Sequence, residues 1–75
     1  MKNYRERITA QPGVMLGKPV IKGTRITVEL LLRKLSEGMS IPELLEAYPH
    51  LKKEDIQAAL SYSADVIGSE EMIEY

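Results

Sequence analysis

The segment Gly17–Val28, which reads GKPVIKGTRITV, constrains the fold of this chain more than any other part of the sequence. Its two glycines permit a positive φ, and its proline fixes φ at about −65° and removes a backbone donor. The β-branched pair Val20-Ile21 between the two turns is typical of a short strand. Thr27 places a hydroxyl where it can cap a helix that begins at Val28. The segment therefore predicts a joint between short extended elements and the helices that follow.

The residues before this joint predict three short β segments. Weak alternation of side chains indicates a strand over 4–9, and apolar pieces follow at 14–16 and 20–21. Pro12-Gly13 marks the turn after the first strand. Segments this short bury little surface on their own, so they need a helix layer or the same segments of a second copy.

Three helices are predicted after the joint. The first covers 28–37, and Gly38 ends it in the left-handed conformation. Ser40 and Glu43 form a capping box that starts the second helix, and Pro49 stops that helix.

The third helix is predicted over 53–66, a length of roughly 21 Å. Lys52 occupies its cap position and is a poor cap, which Glu54 and Asp55 partly offset through the helix dipole. Apolar and small residues form the predicted stripe of this helix, namely Ile56, Ala59, Leu60, Ala64 and Ile67.

The chain has 75 residues, which is the size of one small domain. We expect a mainly α fold, in which residues 1–26 form a β arm with a basic turn, 27–67 a three-helix bundle and 68–75 an acidic tail. A core of this size supplies little net stability, so a homodimer is expected. The copies would join either through their β arms or through Leu30 and the third helix.

The composition excludes several kinds of site. The chain has no cysteine and one histidine, so disulfides, thiolate metal sites and Cys/His nucleophile pairs are ruled out. His50 lies in a Tyr-Pro-His turn, where a histidine is usually solvated. We therefore expect no enzyme activity, no cofactor and no small-molecule substrate.

The hydropathy pattern also bears on location. No run of about 18 apolar residues is present, so no membrane span is expected. The N-terminus lacks the apolar stretch of a signal peptide. Together with the missing cysteines, this pattern favours a cytoplasmic protein.

Charge is distributed unevenly along the chain. Residues 1–34 carry eight bases and two acids (+6), whereas residues 35–75 carry two bases and nine acids (−7). Such a split favours a basic half that meets nucleic acid and an acidic half that meets a basic partner. Attraction between the two halves, within one chain or across a dimer, explains the same split.

Three short helices joined by tight turns are the elements of a helix-turn-helix domain, whose third helix reads DNA. Here the two lysines that begin this helix suit phosphate contacts and Gln57 suits adenine, but Glu54 and Asp55 would repel phosphates. Most of the nucleic-acid contacts are therefore expected from the arm, and the full candidate set is Arg5, Arg7, Lys18, Lys22, Arg25, Lys52, Lys53 and Gln57. The alternative is a helix-turn-helix scaffold used only for protein contacts.

GKPVIKGTRITV closely resembles the domain-of-unknown-function family numbered 433, and the similarity continues through LSEGMS at 35–40, LLEAYP at 44–49 and EDIQAAL at 54–60. It covers roughly residues 6–64. The resemblance implies a homeodomain-like helix-turn-helix with a preceding β arm. Members of the family are commonly regarded as antitoxins, similar to the VapB type, that pair with PIN-like ribonuclease toxins.

The resemblance thus implies toxin neutralisation, dimerisation and autoregulatory DNA binding. We expect the acidic tail to cover the RNA-binding surface of such a ribonuclease, with Met72, Ile73 and Tyr75 as anchors. Two alternatives remain: a stand-alone DNA-binding regulator, and an oligomerisation or adaptor module without a nucleic-acid role.

Overall fold

The computed structural model describes residues 4–69. Its mainly helical fold, with a small two-stranded sheet near the N-terminus, confirms the predicted class. The regular elements are β1 (Ile8–Thr9), β2 (Val20–Ile21), α1 (Val28–Ser36), α2 (Ile41–Ala47) and α3 (Lys53–Gly68). Among the described residues, no helix is long and apolar enough to cross a membrane.

The joint between the sheet and α1 is built as the sequence predicts. β1 and β2 pair in antiparallel fashion, with Ile8 opposite Ile21. Val20 also forms a bridge with Thr27, and the first residue of α1 donates its N–H to the carbonyl of Pro19 at 3.0 Å. The sheet therefore fixes the start of α1 directly.

The predicted helix caps are present. Thr27 Oγ1 accepts a hydrogen bond from the Leu30 N–H at 3.0 Å, and Gly38 follows α1 with a φ of +99°. The Ser40 N–H donates to Glu43 Oε1 at 2.7 Å, while Ser40 Oγ accepts from the Glu43 N–H at 3.2 Å. The donation from the Ser40 N–H lowers the pKa of the Glu43 carboxyl. These contacts satisfy backbone groups that helix ends leave without a partner.

The strand predicted over 4–9 is wrong in its first half. Tyr4–Glu6 is a 3-10 turn, closed by a hydrogen bond from the Arg7 N–H to the Tyr4 carbonyl at 2.8 Å. The Tyr4 ring packs edge-on against Tyr62 of α3, with ring centroids 5.5 Å apart. Contact with α3 favours the turn, because it brings the aromatic ring to the helix.

The apolar run 14–16 is not extended either. Met15–Gly17 forms a second 3-10 turn, whose first two residues have positive φ values of 47° and 60°. The Gly17 N–H donates to the Val14 carbonyl at 2.9 Å. Because β1 and β2 are only two residues long, the hairpin ends before this run, and no described strand lies beside it.

The predicted stripe of α3 is buried only at its start. Ile56 and Ala59 lie in the core with Leu31 and Leu44, but Leu60 is 43% and Ile67 67% exposed. α3 has 16 residues and passes its predicted end at 66, whereas α1 has nine and α2 has seven. At about 1.5 Å per residue, α3 outreaches both neighbouring helices, and its last turn is exposed.

Asp55 is the clearest departure from the sequence prediction, which placed it on the exposed start of the third helix. It is 6% exposed. Its Oδ2 accepts from the Lys52 N–H at 2.9 Å, which supplies the cap that the Lys52 side chain cannot. Its Oδ1 pairs with Arg7 Nη1 at 2.9 Å. One carboxylate therefore both caps α3 and fastens the arm to it.

Replacing Asp55 by Ala should lower the free energy of unfolding by about 2 kcal/mol, because both the cap and the partner of the Arg7 guanidinium are lost. Urea unfolding followed by far-ultraviolet circular dichroism measures this change. Glu54→Ala is the matched control, since Glu54 is the exposed acid next to it in the same first turn, and it should change the stability by less than about 0.5 kcal/mol. Equal effects of the two variants would contradict the role given to Asp55.

Candidate nucleic-acid interface

The loop after β2 is a tight, internally bonded turn. The Thr24 N–H donates to the Ile21 carbonyl at 3.0 Å, and Gly23 in third position has a φ of +81°, as a type II turn requires. Thr24 Oγ1 donates to the Ile21 carbonyl at 2.8 Å and accepts from the Ile26 N–H at 2.9 Å. The Ile21 N–H in turn donates to the Ile26 carbonyl at 2.9 Å. The loop therefore holds one shape and presents its two cations, Lys22 and Arg25, on the surface.

These two cations line a concavity of about 980 Å³, which we call the basic concavity. His50, which lies in the turn between α2 and α3 and is distant from the loop in sequence, also lines it. The remaining lining is polar or small and apolar, and consists of Thr9, Gln11, Val14, Val20, Gly23, Thr24 and Ile26. Ammonium, guanidinium, imidazole, hydroxyl and amide groups that converge on one hollow suit the oxygen atoms of a phosphate.

The first turn of α3 begins near this concavity. His50 is two residues from Lys52, so their Cα atoms are at most about 7.6 Å apart. Lys52, Lys53 and Gln57 are all exposed. Since Asp55 is buried against Arg7, Glu54 is the one acid that this turn exposes among the described residues. Phosphates near this turn are therefore repelled by one exposed carboxylate, and not by the two that the sequence predicts.

The other candidate cations of the arm lie in different surroundings. Arg7 is held by Asp55, with about a third of its side chain exposed. Lys18 Nζ lies 2.9 Å from Glu29 Oε1, and this bond, helped by Arg33, lowers the pKa of the Glu29 carboxyl. The Arg5 guanidinium lies over the Tyr4 ring, 5.9 Å from its centroid. Of the five arm cations, Lys22 and Arg25 thus lie together at the basic concavity, whereas Arg7 stabilises the fold through Asp55.

No feature of the sequence indicates the part of this site that comes from His50. Its Tyr-Pro-His turn predicted a solvated side chain, and His50 is exposed, but it faces the basic loop. Arg25 and His50 are 25 positions apart in the sequence, and no local spacing rule connects them. The predicted anchors Met72, Ile73 and Tyr75 lie outside the described residues.

Residues 8–63 match the protein family described as Protein of unknown function (DUF433). This range contains the hairpin, the basic loop, α1, α2 and the larger part of α3. The chain belongs to the DUF433 family. The family resemblance seen in the sequence is therefore confirmed.

Two known proteins are similar to this DUF433 chain. The "Uncharacterized protein y4eO" of Sinorhizobium fredii (strain NBRC 101917 / NGR234) is 37% identical over 59 residues, which are 79% of this chain and 27% of that protein. The chain thus spans about a quarter of the curated relative. A crystal structure of a DUF433 member protein from Anabaena variabilis superposes with a TM-score of 0.79 at 36% identity, covering 84% of this chain and 62% of that one. The DUF433 fold described above is therefore shared with a solved relative.

Proposed function

We propose that this protein binds nucleic acid through the basic concavity and the first turn of α3, as the DNA-binding component of an antitoxin-like regulator. The observation that carries the proposal is the meeting of Lys22, Arg25 and His50 at one hollow. The loop that presents the cations is fixed by its own hydrogen bonds, so little conformational entropy is lost when they meet a ligand. Lys52 and Lys53 extend the positive surface along the start of α3.

The chemistry of this surface favours phosphate contacts over base reading. Cations and hydroxyls position a protein on the nucleic-acid backbone but carry little sequence information. Gln57 is the exposed α3 side chain with the donor and acceptor pair that reads adenine. The expected binding is therefore strongly dependent on salt and only modestly selective for sequence, with DNA upstream of the protein's own gene as the natural target.

Lys22→Gln and Arg25→Gln should each make the plot of log K against log salt concentration shallower by about 0.9, because each removes roughly one phosphate contact with duplex DNA. Fluorescence anisotropy with a labelled upstream duplex, and with an unrelated duplex of the same length, measures these slopes. Lys34→Gln in α1 is the matched control, since it removes the same charge from outside the concavity and should leave the slope unchanged.

If Lys22→Gln, Arg25→Gln and Lys34→Gln all give the same salt slope, the basic concavity is not the binding site. Absence of binding by the unaltered protein at low salt would favour the oligomerisation or adaptor module instead. Equal loss of affinity for both duplexes is expected from Lys22→Gln and Arg25→Gln, because the backbone contact does not depend on sequence.

The second candidate function is neutralisation of a PIN-like ribonuclease. It is favoured by the charge of residues 35–75, which carry nine acids and two bases. An RNA-binding surface is positive, so an acidic segment with apolar anchors suits it. This function is compatible with DNA binding, because Lys22 and Arg25 of the basic concavity lie in the other half of the chain. Without a ribonuclease partner, the protein would be a stand-alone regulator.

Substituting Met72 and Ile73 by Asp should abolish binding to a co-purified ribonuclease, because charges replace the apolar anchors. The test is purification of the tagged protein from its native host, followed by affinity measurement with the partner that accompanies it. Met72→Leu with Ile73→Val is the control and should keep the complex. An unchanged affinity of the Asp variant would exclude the tail as the binding segment.

A further inference from the structure

The turn Met15–Gly17 presents an apolar side chain at a conformational cost. Met15, Leu16 and Gly17 have φ values of +47°, +60° and +82° in succession. The left-handed region is unfavourable for the first two residues, and backbone strain of this kind concentrates at sites where it serves a function. Leu16 is also 94% exposed, more than the other exposed large apolar residues of the described chain. We call this turn the apolar knob.

An apolar groove lies between α1 and the C-terminal half of α3. It has a volume of about 530 Å³, and its apolar lining consists of Pro19, Val28, Leu32, Tyr62, Val66 and Ile67. Near the end of α3, Ile67 is 67% exposed, so this wall of the groove is open to solvent. We call it the α1–α3 groove; it shares no lining residue with the basic concavity.

The residues that directly follow the knob connect it to the groove. Lys18, the residue directly after the knob, bonds to Glu29 on the groove at 2.9 Å, and Pro19 is itself part of the lining. Arg33, also on the groove, bonds to Glu29 at 3.2 Å. A convex apolar element and a concave apolar element therefore adjoin each other.

We propose that a second copy of this chain occupies the α1–α3 groove and that Leu16 of each copy inserts into the groove of the other. A surface that carries both a knob and a matching hollow is self-complementary, which is what an interface with a two-fold axis requires. A two-fold rotation that relates the two copies then places each Leu16 in the groove of the other copy. The strained turn and the exposed last turn of α3 are both accounted for by this single contact.

The chemistry of the groove argues against the other partners considered for the protein. Glu29 is bonded to both Lys18 and Arg33, so these three rim groups carry a net positive charge. A basic ribonuclease surface would be repelled there, and an apolar lining does not suit phosphates. The interface shares the third helix with one of the two interfaces expected from the sequence, but its anchor is Leu16 and not Leu30. It does not depend on nucleic-acid binding.

Leu16→Gly should raise the dimer dissociation constant by at least about 30-fold, because each dimer loses two anchors and the loss of each costs at least about fivefold. Glycine accepts a positive φ, so the variant should not have a lower melting temperature as a monomer. Leu16→Met keeps an apolar anchor and is the control. Sedimentation velocity over a concentration series measures the dissociation constants, and thermal unfolding monitors the fold.

Ile67→Glu tests the groove and should weaken the dimer to a similar extent. Ala47→Glu makes the same change of charge at an exposed position of α2 outside the groove, and it should have little effect. Since the chain has no cysteine, mixing Leu16→Cys with Ile67→Cys under oxidation should give a covalent dimer of the two different variants in preference to either variant with itself.

The proposal is overturned if the unaltered protein sediments as a monomer at all concentrations. It is also overturned if the protein is a dimer whose dissociation constant Leu16→Gly and Ile67→Glu leave unchanged. Preferential disulfide pairing of each cysteine variant with itself would exclude the reciprocal contact between knob and groove. Lys22→Gln and Arg25→Gln should still dimerise, because neither residue lines the groove. The test of dimerisation is therefore independent of the test of nucleic-acid binding.

Discussion

The ion pair between Arg7 and Asp55 is the contact on which the arrangement of this small domain depends. It joins two segments 48 residues apart and lies at the start of α3, where Asp55 also accepts the Lys52 N–H. Because Asp55 is buried and Arg7 only partly so, the carboxylate is held in place while the guanidinium remains partly hydrated. The arm is thereby attached to the helix whose first turn carries the exposed lysines. The backbone carbonyl of Arg7 accepts from the Lys22 N–H at 2.7 Å, so the same residue also holds the basic loop.

Local features of the fold could be predicted from the sequence, and distant contacts could not. Thr27, Gly38 and the Ser40–Glu43 capping box act within four residues, so their chemistry is readable from spacing alone. The same holds for the two-residue strand Val20–Ile21 and the turn around Gly23. The pairing of Arg7 with Asp55 depends on the packed tertiary structure, and no local pattern in the sequence indicates it.

The candidate site shows the same division. Lys22 and Arg25 could be selected from sequence because they lie in a turn without acids, and the structure brings them to one hollow. His50 could not, since its contribution arises from the position of the α2–α3 turn against the loop. The left-handed turn at Met15 and Leu16 could not be predicted either, because the apolar run there is typical of a strand. Each of the two surfaces proposed for function thus contains residues whose role depends on contacts that the sequence does not predict.

The central claim is that the basic loop and the start of α3 form a single binding surface. Titration of isotope-labelled protein with duplex DNA, followed by the chemical shifts of backbone amides in solution, tests it most directly. The account predicts that the amides of 22–25 and 50–53 shift together, with the same dependence on DNA concentration, while those of α1 remain in place. Shifts confined to one of the two segments, or centred on α1, would contradict the claim.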